Sequence, residues 1–176
     1  MKLEEQMADE IVIEVADRSG LEVDVEALGT LFYDVLEKEG VTGAASLTFV
    51  TEEEITELNK THMGEDYATD VLSFPAAENA VQKLTPEHGL SPRVTEPLDQ
   101  PVVEVGDVVV CPSVAQRQAK DHNWAESSEL SLLVVHGALH LLGYDHQEPE
   151  EEKKMKSAEE AHLVRNSLEY VDTYET

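Results

Sequence analysis

The sequence predicts an α+β domain, a small mixed four-stranded sheet covered by five to six helices. Three observations carry that expectation. Apolar patterning alternates between period two and period 3.6 in the order strand, helix, strand, helix, strand, irregular segment, strand, then three helices. One of those last helices is apolar almost all round, which marks a central, buried element. The length, 176 residues, suits one domain carrying a long loop and is enough to bury a single sizeable core.

The elements follow in order. The first ten residues, MKLEEQMADE, read as a polar, frayed or helical start. Ile11 to Asp17 is a β-branched run, hence a strand. From Val23 to Lys38, Leu28, Leu31, Phe32, Val35 and Leu36 recur at helical spacing, and Gly40 and Gly43 turn the chain. Ser46 to Val50 is a second strand. Thr51 and Glu54 form a T-x-x-E capping box that opens a helix to about His62. Asp70 to Phe74 is a third strand, closed by Pro75.

Residues 76–104 hold four of the seven prolines and little periodicity, and they read as an insertion within a single domain spanning 1–176. Gly106 to Cys111 is the fourth strand, with Cys111 a buried core thiol, and a short helix runs from Val114 to Asp121. Asn123 and Glu126 offer an N-cap and its third-position partner for a helix over Trp124 to Leu142. That helix has almost no polar face in its second half, and Gly143 stops it at a left-handed position. Pro149 suits the first turn of a final charged helix to about Leu168.

Composition narrows the function classes. No run approaches the roughly 18 apolar residues of a membrane span, and the acidic start lacks the apolar core of a secretory signal. A single cysteine excludes an internal disulfide framework and a cysteine-rich zinc module. The expected home is the cytoplasm. With 38 acidic against 12 basic residues the net charge is −26, which disfavours non-specific nucleic-acid binding.

The chemistry-bearing signal is histidine spacing. Seven histidines spread evenly over 176 residues would put fewer than one in any 11-residue window, yet HGALHLLGYDH holds three. His136 and His140 are four apart and share one helix face, close enough for two imidazoles to hold one metal. Gly143 lets the chain reverse, so His146 can return as a third ligand. Three neutral imidazoles suit one Zn²⁺ per chain and leave a fourth position for water, whose pKa falls to about 7 there. His136, His140 and His146 would thus act through a bound water. Lone histidines on an apolar helix are most often structural, but three on this spacing bury imidazoles at a cost that needs a partner. The spacing matches the metzincin pattern H-E-x-x-H-x-x-G-x-x-H except that the general-base slot is Gly137.

HGALHLLGYDH resembles the H-G-x-L-H-L-x-G-Y-D-H signature of the YbeY family of endoribonucleases. LNKTHMGEDYATDVLSFP, Leu58 to Pro75, and GDVVVCPSVAQRQA are similar to two further blocks of that family in the same order, so the resemblance covers roughly residues 45 to 165. It implies a zincin-like fold and a zinc ion on His136, His140 and His146. It implies a single-strand-preferring endoribonuclease in 16S rRNA 3′-end maturation and ribosome quality control. Ribosomal RNA, ribosomal proteins and maturation factors would be the partners. Many family members carry an arginine where this chain has Met63; an arginine there can clamp a phosphate and methionine cannot.

Arg117 and Lys120, on the helix after the fourth strand, are the nearest cationic candidates for substrate by sequence, or else ordinary exposed charges. Asp70 either contacts substrate as a hydroxyl acceptor or base, or caps a strand end. Asp145 either orients an imidazole or stabilises the turn. His62, His88, His122 and His162 read as surface or packing histidines. Two other functions stay open at this point. One is a non-catalytic ribosome-assembly factor with a structural zinc, favoured by the acidic charge. The other is a metzincin-like hydrolase of another substrate, favoured by the spacing and opposed by Gly137.

Overall fold

The computed structural model describes residues 11–76 and 103–170. The polar start at 1–10, and all but the ends of the insertion expected at 76–104, lie outside the described residues. The elements run β1 (Ile11–Asp17), α1 (Val25–Lys38), β2 (Gly43–Phe49), α2 (Glu52–Met63), β3 (Val71–Pro75), β4 (Glu104–Val110), α3 (Pro112–His122), α4 (Glu126–Leu141) and α5 (Pro149–Arg165). Among the described residues this is a four-stranded mixed sheet with five helices, within the five to six that the patterning predicts.

The sheet order is β1-β2-β4-β3. β1 pairs with β2 and β2 with β4 in parallel, while β3 runs antiparallel to β4. The pleat gives each face its own core. Leu47 and Phe49 of β2 and Val108 and Val110 of β4 face Phe32, Val35, Leu139, Met155 and Leu163 of α1, α4 and α5. Val109 of β4 points the other way, with Leu72 of β3, against Ile55 and Val114 of α2 and α3.

Several boundaries differ from the sequence expectation, each for a long-range reason. β2 begins at Gly43 rather than Ser46, because Gly43, Ala44 and Ala45 are held in the ladder by β1 on one side and the start of β4 on the other. Strand preference alone would not enlist those residues. β4 begins at Glu104 and stops at Val110, so Cys111, fully buried, is the N-cap of α3 and not the last strand residue. Asn123 does not cap α4. It sits at φ 59 as the C-cap of α3, and Ala125 takes the N-cap of α4. Asn is among the few residues that adopt the left-handed region readily, so it serves the end of one helix as well as the start of another. Thr51 does cap α2, accepting a bond from the Glu54 N–H at 3.3 Å.

α4 is the element on which the site is built. Leu130 to Val135, Ala138, Leu139 and Leu141 are all buried. Its approach to the sheet is set by Gly137. A Cβ there would lie 2.6 Å from Val108 Cγ1 and 3.3 Å from Ser73 Oγ. The missing side chain lets Ser73 Oγ donate to the Gly137 carbonyl at 2.9 Å, tying β3 to the helix turn that carries His136.

Candidate metal centre

His136 and His140 leave α4 one turn apart, both half-buried, and His146 is exposed just beyond the helix end. The end is a Schellman motif: Gly143, at φ 90, donates to the His140 carbonyl at 3.2 Å, and Tyr144 N–H donates to the Leu139 carbonyl at 3.2 Å. Few residues besides glycine tolerate that φ, so the reversal that returns His146 depends on Gly143. Asp145 Oδ1 then accepts the His146 N–H at 2.7 Å.

The three imidazoles converge. Their ligating nitrogens all lie within 4.8 Å of one another, and Nε2 of His136 and His140 are 3.0 Å apart. Two nitrogens on one tetrahedral zinc, at about 2.0–2.1 Å from it, would be about 3.4 Å apart. The His140 pKa is pushed down to about 4, first by burial and then by the charges that His136 and His146 would carry. His140 therefore stays neutral at pH 7, the form that donates a lone pair to a metal.

Sequence reasoning missed a fourth participant. Glu159 of α5 is fully buried, and its Oε1 lies 2.6 Å from His136 Nδ1. An Nδ1–H donated to this carboxylate leaves Nε2 as the lone-pair nitrogen, on the side where His140 stands. A buried carboxylate needs a positive partner, and an imidazole bonded to a divalent cation supplies one far better than a neutral ring. The donor set therefore fits a metal ion. A signal for Glu159 did exist: Met155, Glu159, His162 and Leu163 form the buried stripe of α5 at helical spacing. A glutamate on such a stripe, in a helix whose other acids are solvated, is the exception to notice.

This role has a direct test. In Glu159→Ala, metal affinity is expected to fall about 10-fold to 100-fold, with Glu159→Gln between it and wild type because the amide oxygen still accepts the Nδ1–H. Competition against a chromophoric chelator measures it. Wild-type affinity in both variants would remove Glu159 from the site.

The other sequence candidates are placed as follows. Asp70 is half-buried just before β3; its Oδ1 accepts from Val71 N–H at 2.7 Å and its Oδ2 from Gln118 Nε2 at 3.1 Å. Both oxygens thus brace the β3–α3 junction. Asp145 spends Oδ1 on the turn and adds negative charge beside His140. Arg117 is exposed, and its guanidinium grips both oxygens of Glu52, which Ser113 Oγ also reaches at 2.7 Å. These bonds, from Arg117 first, hold the Glu52 carboxyl below its ordinary range. Lys120 is exposed on the same helix, and Met63 is half-exposed at the end of α2.

Gly137 also bears on what the centre can do. A metzincin carries its general-base glutamate at this slot. Here the position faces Val108, Ser73 and Val71 across a gap too small for a Cβ, so a carboxylate has no place there.

The family model for Endoribonuclease YbeY matches residues 13–167. A Thermobifida fusca protein named Endoribonuclease YbeY is 42% identical over 161 residues, covering 89% of this chain and 96% of its own. One of the same name from Salinispora tropica is 41% identical over 145 residues, covering 81% and 88%. The solution structure of TM1509 from Thermotoga maritima is similar with a TM-score of 0.56 at 27% identity, covering 94% of this chain and 100% of that one.

Proposed function

This chain belongs to the endoribonuclease YbeY family, and from that premise we propose that it is a zinc-dependent endoribonuclease cutting single-stranded RNA in 16S rRNA 3′-end maturation and ribosome quality control. The observation that carries the reading is the convergence of His136, His140 and His146 over the buried Glu159. The three imidazoles would hold the ion. Zinc so held supplies a Lewis acid for a phosphate oxygen and activates water near neutral pH. His140 contributes a nitrogen that burial keeps unprotonated, and Glu159 fixes the proton of His136 at Nδ1. Arg117 and Lys120 are the candidate phosphate contacts, and Glu52 competes for the first of them.

Three histidines leave a coordination position open, whereas structural zinc sites close with four protein ligands. Among the described residues the metal-ligating cluster is these three histidines. That disfavours the non-catalytic assembly factor. The gap at Gly137 disfavours a peptidase of the metzincin kind. Among the described residues no helix is long and apolar enough to cross a membrane. The proposed setting is the cytoplasm, with ribosomal proteins or maturation factors as partners to an acidic protein that carries few cations for RNA phosphates.

Metal analysis of the purified chain, with cleavage of a single-stranded rRNA fragment at low and physiological salt, tests the reading. One zinc per chain is expected, with cutting that stops on chelation and returns with zinc. Cutting that survives complete metal removal would overturn the zinc dependence. A zinc-loaded chain that leaves RNA intact, alone and with ribosomal particles, would overturn the nuclease.

A further inference from the structure

The loop between His140 and His146 enters a polar chain of contacts that also takes in the buried His162. Tyr144 sits between the second and third histidines of the motif, and its hydroxyl donates to Glu39 Oε2 at 3.1 Å. Glu39 is the C-cap of α1, 105 positions earlier. Its other oxygen, Oε1, lies 2.7 Å from Nε2 of His162 on α5. Nδ1 of His162 faces the Arg165 guanidinium, which can only donate. The proton of His162 therefore stands at Nε2 and is given to Glu39. Arg165 Nε and Asn166 Nδ2 both reach Asp34 Oδ2 on α1, at 3.3 and 2.9 Å.

Glu39 thus joins three pieces of the chain through two oxygens: the end of α1, the loop that delivers His146, and the helix that carries Glu159. Tyr144 is doubly committed, because its backbone N–H also donates to the Leu139 carbonyl at 3.2 Å, closing the helix end beside His140. A displacement of Tyr144 would reach His146, two residues on, along the loop. Of the three imidazoles, only His146 is exposed and stands outside a helix. Its position follows from the loop, which Gly143 and Asp145 shape locally.

We propose that Glu39 is a positioning residue for the metal loop, acting through the Tyr144 hydroxyl to hold His146 in ligating register with His136 and His140. This rests on the metal reading above and adds a control point on α1, remote in sequence from the histidine motif. Removing the hydroxyl deletes no imidazole but lets the loop that carries His146 move, so the loss appears as weaker and differently shaped coordination.

Cobalt(II) binding to the full-length chain tests this, since cobalt's visible absorption reports ligand geometry as well as occupancy. Tyr144→Phe is expected to bind cobalt about 10-fold more weakly than wild type, with a changed visible spectrum, and Glu39→Gln, whose amide keeps one accepting oxygen for either Tyr144 or His162, to fall between it and wild type. Asp34→Asn is the control. It disturbs the far end of the same network and is expected to lower the melting temperature of the metal-free protein while leaving cobalt affinity and spectrum unchanged. A Tyr144→Phe spectrum and affinity that superimpose on wild type would overturn the proposal. So would an Asp34→Asn loss of affinity as large as that of Tyr144→Phe, because the effect would then be general stability. A wild-type chain that takes up no cobalt or zinc is a different result, one that overturns the metal reading itself.

Discussion

His140→Ala is expected to abolish metal retention and to lower RNA cleavage by at least about 1,000-fold while the chain stays folded. The size follows from the ligand count. Zinc sites of full complement bind with roughly 10–16 kcal/mol, so losing one ligand of three removes several kcal/mol of affinity. Each 1.36 kcal/mol is about tenfold in a rate that depends on the loaded form. The fold should tolerate the change because His140 is half-buried and held neutral against its ordinary pKa, first by burial. Removing such a ring takes away a costly group along with its contacts, for a net change of about 1–2 kcal/mol. Metal content, cleavage and circular dichroism should be read on one preparation. A variant with wild-type zinc content would mean that His140 is not a ligand.

Gly137→Ala is expected to destabilise the protein by about 1–3 kcal/mol, which for a chain of this size lowers the melting temperature by roughly 3–10 °C. Two effects oppose each other. Alanine gains about 1 kcal/mol over glycine in a helix interior. Its Cβ, however, would stand 2.6 Å from Val108 Cγ1 on a fully buried strand position, with Ser73 Oγ and Val71 Cγ2 at 3.3 Å. Relief would require α4 to lift off the sheet, which strains the Ser73–Gly137 bond and the buried core along the whole helix. Overpacking should therefore win. Gly137→Glu, which restores the metzincin residue, adds a charge pressed against two valines and is expected to prevent folding instead of creating a peptidase. An alanine variant as stable as wild type would show that helix preference outweighs the contact, and the packing account of this glycine would fall.

Much of this was legible without coordinates because it is local. Period 3.6 in Leu28 to Leu36 identified α1, and the predominantly apolar stretch of Leu130 to Leu142 marked α4 as the central helix. The histidine spacing is local too: one helical turn from His136 to His140, then a glycine reversal to His146, all within 11 residues. Thr51, Gly143 and Pro149 marked chain direction through rules of backbone geometry that need no distant partner.

What stayed hidden depends on partners far apart in sequence. Asn123 looked like an N-cap, and its left-handed role at the end of α3 was decided by how α3 meets α4. Arg117 read as either a phosphate contact or an ordinary exposed charge, and nothing local showed that Glu52, 65 residues earlier, pairs with its guanidinium. Glu159 stood out only as an acid on the apolar stripe of its own helix, and Glu39 carried no signal at all; neither showed which side chain of the histidine motif it would meet.

The sequence alone therefore determined which groups can bind a metal and on what local scaffold. Only the tertiary structure decided the sheet order, which residue of α5 meets His136, and which helix end steadies the loop. The reason is physical: a motif specifies dihedral angles and short-range spacing, while burial of a carboxylate beneath an imidazole is settled only when α1, α4 and α5 pack on one face of the sheet.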